Sequence, residues 1–214
     1  MNYIGIIGAM DEEVNRIKDA MTNVNIKKIA TMEFYEGVIG QKNIIVVRSG
    51  IGKVNAAICA QILIDRFQVK AIINTGIAGS LNAKIDIGDM VLSKDAMQHD
   101  IDVKVFGHDY GVIPRMESSV FVANETLIKK AETACRKVNP DINVFTGRVL
   151  SGDQFIQDKE KKEWLVSYFK GLCAEMEGAS IAHVASLNNI PFLIIRGISD
   201  KADESAEMDY DKFE

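Results

Sequence analysis

Three carboxylates of this sequence stand where buried elements give way to polar residues. Asp200 closes an apolar run, residues 191–198, whose length and isoleucine content predict a strand buried on both faces. Glu13 lies in the acidic first turn of a helix that follows a first strand, and Glu177 stands just before a small apolar helix. Ligands of α/β sheets bind outside the carboxyl ends of the strands, so carboxylates in these positions are placed for acid–base chemistry.

Each of the three acids also has a purely structural explanation when it is considered alone. Asp200 could cap the loop that follows it. Glu13, like Asp11 and Glu12, could be present because the positive end of a helix dipole stabilises carboxylates in the first turn. The same explanation applies to Glu177 at the start of its helix. Parallel strands end at one edge of a sheet, however, and three acid-bearing strand ends therefore predict one shared site.

The elements that would position these acids indicate an α/β protein. We expect a single-domain three-layer α/β/α fold with a mixed central sheet over residues 1–214. Residues 27–48 consist of short strand-like segments joined by tight turns, which predicts a meander within that sheet. The helix predicted over residues 54–67 is apolar nearly all round, so we expect it to be buried. The other predicted elements are strands at residues 2–9, 70–74, 90–96 and 144–150, and helices from about residue 11, at 125–138 and at 159–169.

The composition excludes several classes of protein. A net charge of −5 offers no electrostatic footprint for nucleic acid or an anionic membrane surface. No apolar run reaches the roughly 18 residues needed to span a bilayer, and the first residues lack the basic flank of a signal peptide. Cys59, Cys135 and Cys173 are odd in number and far apart, which argues against a disulfide framework and a CxxC metal site. We therefore expect a cytoplasmic protein that binds neither nucleic acid nor membrane.

The turn Ser49-Gly50-Ile51-Gly52-Lys53 has some features of a nucleotide-binding motif. A P-loop needs a glycine where Val47 stands and a Ser or Thr where Val54 stands. A dinucleotide fingerprint needs a small residue in place of Asn55 and an acid after the next strand, where this chain has none. The turn therefore predicts backbone N–H groups near a small ligand, and we expect no cofactor.

The cluster His99-Asp100-Ile101-Asp102 contains potential metal ligands. A structural or catalytic metal site needs three or four ligands, and no second cluster in the sequence completes such a shell. We therefore expect no metal.

Six segments of the chain together resemble the motifs of the 5′-methylthioadenosine/S-adenosylhomocysteine nucleosidases. One segment alone would be weak evidence because glycine-rich turns are common, but the six occur in order along essentially the whole chain. The resemblance implies the nucleoside phosphorylase-like α/β fold and a homodimer. The six segments are residues 5–13, 49–57, 74–79, 151–156, 175–179 and 196–200.

The resemblance implies hydrolysis of the N-glycosidic bond of 5′-methylthioadenosine, S-adenosylhomocysteine and 5′-deoxyadenosine. Asp200 would protonate the purine, which requires the neutral acid that burial favours. Glu13 would activate water on the opposite face of the sugar, with Arg196 near that water. Glu177 would accept hydrogen bonds from the ribose hydroxyls, and its charge would favour the cationic transition state.

The resemblance also implies which residues surround the substrate. Met176 would lie against the ribose, Phe155 would stack on adenine, and the backbone of Ile156 would read the adenine edge. The remaining residues would contact the substrate or line the pocket of its apolar 5′ group: Met10, Ile51, Ala78, Gly79, Phe106, Ser199 and Tyr210, with Pro114 from the partner subunit.

The chain departs from the family pattern in three places. Ile77 occupies a position where some relatives carry serine, and His108 replaces an aromatic residue of the rim loop. The sequence stops at Glu214, whereas relatives continue into a final helix that packs on the domain. The resemblance thus implies either a truncated chain or an exposed apolar surface where that helix is lacking.

Three alternative functions fit parts of the pattern. A phosphorylase of the same fold would need an anion site with arginine, but the turn Asn74-Thr75-Gly76 has none and Glu13 would repel phosphate. A hydrolase of futalosine-type nucleosides would use similar acids. A non-catalytic nucleoside-binding module would be expected to lack one of the three acids, and all three are present.

Overall fold

A computed structural model describes residues 2–203 and residue 206 of the chain. The helices within these residues are α1 (Asp11–Asp19), α2 (Lys53–Phe67), α3 (Glu125–Val138), α4 (Lys159–Phe169) and α5 (Gly178–Leu187). The strands are β1 (Tyr3–Gly8), β2 (Thr22–Ile29), β3 (Met32–Ile39), β4 (Lys42–Arg48), β5 (Ala71–Ser80), β6 (Met90–Gln98), β7 (Phe121–Val122), β8 (Val144–Ser151), β9 (Gly171–Glu175) and β10 (Phe192–Asp200). None of the helices in this part of the chain is long and apolar enough to cross a membrane. Tyr210 and the predicted lack of a final helix lie outside the described residues.

The strands form one mixed sheet, as predicted. β1 pairs in parallel with β4 and β5, and β10 pairs in parallel with β5. β2, β3 and β4 form the predicted antiparallel meander. Because β10 also pairs with β6, the strands β5, β10, β6, β8 and β9 close into a ring. That half of the sheet is therefore barrel-like rather than open.

Helices cover both faces of the sheet, which confirms the three-layer prediction. Alternate side chains of a strand point to opposite faces. On one face Val46 of β4 packs in a cluster with Val14 of α1. On the other face Ile45 and Val47 of β4 belong to a larger core that includes Leu63 of α2.

Side-chain caps explain why α3 and α4 begin where the sequence predicts. The side chain of Asn124 accepts a hydrogen bond from the backbone N–H of Leu127 at 3.1 Å, and Asp158 accepts one from Lys161 at 2.7 Å. Such caps satisfy backbone donors that have no partner within the helix. Both helices start directly after their cap and have the predicted bounds.

β5 is longer than predicted. We expected it to end at Asn74 in a glycine-containing turn, but the strand continues to Ser80. The reason is the neighbouring strand, since β10 supplies hydrogen-bonding partners along this whole stretch, from Phe192 paired with Ile72 to Asp200 paired with Gly79.

The prediction that α2 is buried all round is wrong on one face. Ala56, Cys59 and Leu63 are fully buried, whereas Val54 is 69% exposed and Ile58 is 43% exposed. Periodicity could not distinguish these faces because apolar residues occupy both of them. Among the described residues, α2 therefore presents an apolar face that no other element covers.

Candidate active site

A cavity of about 190 Å³ lies at the carboxyl ends of β1, β5, β9 and β10. Its wall is mainly apolar, apart from four carboxylates. All three acids singled out in the sequence, Glu13, Glu177 and Asp200, line this one cavity. The lining residues are Ala9, Met10, Glu13, Ile51, Ile77, Ala78, Gly79, Phe155, Ala174, Glu175, Met176, Glu177, Ser199 and Asp200.

The central strand β5 sets the spacing between two of the acids. The backbone N–H of Ile77 donates to Glu13 at 3.0 Å, while Asp200 pairs with Gly79 two residues further along the strand. Two residues of strand span roughly 7 Å. The two carboxyls therefore contact β5 at points two residues apart, and both face the cavity. A register shift in β10 directly before Asp200 turns the end of that strand, as bulges do.

Glu13 is held by backbone donors on both of its oxygens. Oε2 accepts from the N–H groups of Ala9 at 2.6 Å and Met10 at 3.2 Å, and Oε1 accepts from Ile77. Glu13 therefore caps α1, as its structural explanation requires, and also lines the cavity. A side chain at Gly76 would overlap the Glu13 carboxylate, so only glycine fits at that point of β5.

Arg196 lies behind the cavity wall and is fully buried among carboxylates. Its guanidinium binds Glu175 through Nη2, and it lies 3.6 Å from Glu177 and 3.7 Å from Glu13. Burial alone would lower the pKa of Arg196, but the three carboxylates raise it, so the side chain stays a cation. Its Nη1 and Nε have no hydrogen-bond acceptor within the described part of the chain.

Glu175 is a residue of the cavity wall to which the sequence analysis assigned no role. Its carboxylate accepts from the Ser151 hydroxyl, from Arg196, and from the backbone N–H groups of Glu177 at 3.1 Å and Gly178 at 2.8 Å. It thereby holds the start of α5 and the Arg196 side chain together. The signal was present in the sequence, because Glu175 and Glu177 are two residues apart, but only Glu177 was assigned a role.

Glu177 is 5% exposed and accepts the backbone N–H of Gly52 at 2.9 Å. Burial, assisted by the negative charge of Glu175, raises its pKa to about 7, although Arg196 and the Gly52 hydrogen bond act in the opposite direction. Near neutral pH this carboxyl can therefore either accept or donate a hydrogen bond.

Asp200 is 2% exposed at the end of β10. Oδ2 accepts the hydroxyl hydrogen of Ser199 at 2.8 Å, and Oδ1 accepts the backbone N–H of Ala202 at 2.7 Å. Its carboxyl adjoins Gly79 so closely that a side chain there would collide with it. These contacts fix the direction in which the carboxyl points.

The other residues predicted to bind substrate fall into three groups. Those that line the cavity are Met10, Ile51, Ala78, Gly79, Phe155, Met176 and Ser199. Ile156 lines a smaller adjoining cavity of about 40 Å³, which also contacts Asp200. Phe106 is 77% exposed on a 3₁₀ turn and does not line the cavity of its own chain, and Pro114 lies in the irregular segment that follows.

The two internal departures from the family pattern, and the cluster at residues 99–102, also have defined places. Ile77 lines the cavity and contributes its backbone to Glu13, which a serine there would do equally well. His108 is exposed. In the cluster at residues 99–102, Asp100 forms an ion pair with Lys53 at 2.7 Å, and His99 is buried.

Comparison with known proteins places the chain in one family. Residues 3–214 match the family model of the phosphorylase superfamily. The chain is 44% identical over 214 residues to the 5′-methylthioadenosine/S-adenosylhomocysteine nucleosidase of Halalkalibacterium halodurans. The aligned residues are 100% of this chain and 91% of that protein. A crystal structure of the Helicobacter pylori 5′-methylthioadenosine/S-adenosyl homocysteine nucleosidase superposes with a TM-score of 0.94 at 37% identity, covering 99% of this chain and 90% of that one. The native structure of the futalosine hydrolase of Helicobacter pylori strain 26695 superposes with a TM-score of 0.93 at 37% identity, and the match covers 99% of this chain and 90% of that one. The predicted resemblance is thereby confirmed: the chain belongs to the phosphorylase superfamily and, within it, to the 5′-methylthioadenosine/S-adenosylhomocysteine nucleosidases.

Proposed function

We propose that this protein hydrolyses the N-glycosidic bond of 5′-methylthioadenosine and S-adenosylhomocysteine, and of 5′-deoxyadenosine, releasing adenine and the 5′-substituted ribose. The family relationship supports this activity, which belongs to methionine salvage and the recycling of S-adenosylmethionine by-products. The main structural support for this activity is that Glu13, Glu177 and Asp200 all line one mainly apolar cavity. We also propose that the protein is cytoplasmic, because Cys59, Cys135 and Cys173 are free thiols, as is usual in a reducing compartment.

Asp200 serves as the acid that protonates the purine. A purine anion leaves slowly, and a proton on its imidazole ring removes that difficulty. The carboxyl is buried, and the contacts of its oxygens with Ser199 and Ala202 give it one orientation. Phe155, on the cavity wall, stacks on the adenine ring, and the adjoining backbone of Ile156 reads its edge.

Glu13 serves as the base that activates water, and Arg196 helps to position that water. Glu13 and Asp200 contact β5 at Ile77 and Gly79, two residues or roughly 7 Å apart along the strand. Arg196 directs Nη1, which has no acceptor in the described part of the chain, to within 3.7 Å of Glu13 Oε1. A water bound between these two groups would donate to the carboxylate and accept from the guanidinium.

Glu177 accepts the ribose hydroxyls, and Met176 packs against the sugar. Developing positive charge on the ribose is favoured by nearby carboxylates in a site that excludes water. Glu13, Glu175 and Glu177 all surround the buried cation Arg196. Their charges outnumber that cation, so the site favours a cationic sugar.

The same charges favour hydrolysis over phosphorolysis. A phosphate nucleophile needs cationic or backbone donors that are not already engaged by anions. Arg196, the cation nearest to Glu13 in the described structure, is already surrounded by three carboxylates. A phosphate dianion beside them would be repelled, whereas water would not.

A futalosine-type nucleoside is the second candidate substrate. One structural neighbour that is named a futalosine hydrolase resembles this chain as closely as the nucleosidases do. The acids of the cavity would serve both reactions, which differ in the 5′ group of the substrate and, for futalosine itself, in the purine that is released.

Release of free base from purified protein tests the function. We expect adenine from 5′-methylthioadenosine and from S-adenosylhomocysteine, at the same rate with and without inorganic phosphate. Adenine release that requires phosphate would identify a phosphorylase, and hydrolysis of futalosine alone would identify the second candidate. Binding of these nucleosides without turnover would identify a non-catalytic module.

We further propose that the protein is a homodimer that uses the exposed face of α2. Val54 and Ile58 form an apolar strip on that face, and Ile51 is 54% exposed at the cavity wall. An apolar strip continuous with the cavity rim supports a partner subunit at this edge. Phe106, exposed in its own chain, and Pro114 would then complete the partner's 5′ pocket.

Val54→Glu is expected to convert the dimer to a monomer, because a buried charge without a partner strongly disfavours association. Sedimentation velocity at micromolar concentration measures this, with Val138→Glu as the control, since Val138 is similarly exposed on α3. We expect the control to remain dimeric. A monomeric wild type, or a dimeric Val54→Glu variant, would rule out this interface.

A further inference from the structure

Three charged residues outside the cavity join two of the segments that form its wall. Lys53, the first residue of α2, donates through Nζ to Asp100 Oδ1 at 2.7 Å. Asp100 Oδ2 accepts the backbone N–H of Asp153 at 3.0 Å, and Asp153 Oδ1 accepts the backbone N–H of Lys53 at 2.8 Å. The three residues close a ring of hydrogen bonds, which we call the Lys53–Asp100–Asp153 cycle.

The ion pair of the cycle differs from a surface ion pair because both of its charged side chains are largely shielded, whereas Asp153 is exposed. The side chains of Lys53 and Asp100 are only 19% and 15% exposed. Burial acts to raise the pKa of Asp100, but the hydrogen bonds from Lys53 and the Asp153 backbone lower it overall, so Asp100 is ionised. Lys53 Nζ also donates to Gln98 Oε1 at 3.1 Å, which further restricts its position. Removal of the Lys53 ammonium or of the Asp100 carboxylate therefore leaves the other charge without its ionic partner.

Two members of the cycle, Lys53 and Asp153, stand close in sequence to residues that form or contact the cavity wall. Gly52, directly before Lys53, donates its backbone N–H to Glu177. Asp153 stands two residues before Phe155 in the loop that connects β8 to α4. Of the described residues that line the cavity, none belongs to the cycle. The cycle can thus affect a ligand only through the parts of the wall that it holds.

The same loop rests closely on the end of β6. A Cβ placed on Gly152 would lie 2.5 Å from two ring atoms of His99, so there is no space between the loop and that imidazole. The backbone N–H of His99 also donates to the carbonyl of Ser151 at 2.9 Å. The loop is therefore seated on β6 by packing, and the cycle fixes its other side to α2.

We propose that the Lys53–Asp100–Asp153 cycle holds the loop that carries Phe155 and thereby positions this ring for stacking on the base. This inference rests on the proposed function, since it takes Phe155 as the contact of the base. Stacking on the base contributes equally to the bound substrate and to the transition state. Its loss raises KM and leaves kcat nearly unchanged.

Variants of the cycle test the proposal by separating KM from kcat. For Asp100→Asn and Lys53→Met we expect a KM for 5′-methylthioadenosine about tenfold above that of the wild type, with kcat within about threefold. Lys53→Arg keeps the cation, so we expect its KM to stay close to that of the wild type. Asp95→Asn is the matched control, because Asp95 is also 15% exposed and ion-paired, with Arg148, but does not adjoin the cavity. It is expected to lower the melting temperature and to leave KM unchanged.

A second variant identifies the route of the effect. In a Phe155→Ala background, Asp100→Asn is expected to change KM by less than about twofold, because the contact through which the cycle acts is already missing. Full additivity of the two substitutions would overturn the proposal, as would an equal rise of KM in Asp95→Asn. If Asp100→Asn fails to fold, Lys53→Met and Lys53→Arg supply the same comparison.

The controls also separate this inference from the function on which it rests. Wild-type protein that releases no adenine from any of the nucleosides would overturn both. Wild-type protein that releases adenine, together with an Asp100→Asn variant of unchanged KM, would overturn the cycle's role alone.

Discussion

Asp200→Asn is expected to lower kcat for adenine release by about 10²–10⁴-fold while binding of 5′-methylthioadenosine is partly retained. The amide has the shape of the acid but cannot deliver a proton to the leaving purine. It also preserves the local contacts, since its oxygen can accept the Ala202 N–H and its NH2 group can donate to the Ser199 hydroxyl. The fold should therefore remain intact, and single-turnover kinetics with a thermal melt would measure both properties.

A matched control and an altered leaving group sharpen this test. Asp89 is also buried and hydrogen-bonded, to the backbone of Asp86 and to Asn143, but lies outside the cavity. Asp89→Asn is expected to reduce stability and to keep kcat. A 4-nitrophenyl glycoside of 5-methylthioribose has a leaving group that needs no protonation, so Asp200→Asn should cleave it almost as fast as the wild type. An Asp200→Asn variant that retains most of its adenine release would show that another group supplies the proton.

Glu13→Gln is expected to lower kcat by a similar factor of about 10²–10⁴, because an amide cannot take a proton from water. Here the nitrophenyl glycoside should not restore turnover, since the missing step is activation of water and not departure of the base. This contrast distinguishes the two acids in one assay with two substrates.

Glu13→Gln should also destabilise the protein, which Asp200→Asn should not. Both Glu13 oxygens accept backbone N–H groups, and an amide must turn its NH2 group toward one of these donors. An unsatisfied buried donor of this kind costs about 1–3 kcal/mol. Glu12→Gln, a change of the same type at the exposed neighbour, is the control and should alter neither property. Turnover of Glu13→Gln near the wild-type rate would assign the base to another residue.

The sequence predicted the positions of the acids better than it predicted what surrounds them. Asp200 and Glu13 could be placed because each follows a strand whose apolar residues identify it, and parallel strands end together. The bounds of α3 and α4 were predictable because Asn124 and Asp158 cap them locally. These inferences all depend on short stretches of chain.

What the sequence could not predict depends on pairings between distant segments. The contact of Glu175 with Arg196 exists because β9 and β10 both pair with β5. The extension of β5 to Ser80 has the same origin, since β10 supplies its partners. The exposed face of α2 escaped prediction for a different reason: its apolar residues, Val54 and Ile58, have the composition of a core although they are exposed.

The pairing of β10 with β5 has a consequence for how the protein is made. Synthesis proceeds from residue 1, so a growing polypeptide emerges with β1, β4 and β5 long before residues 192–200 leave the ribosome. Until then, β5 has one side unpaired along most of its length, and Arg196 has not yet arrived to offset Glu13 and Glu175. A nascent chain at that stage therefore exposes the edge of β5 next to carboxylates that no cation offsets. Negative charge beside a strand edge disfavours pairing with other chains until β10 is synthesised and pairs with β5.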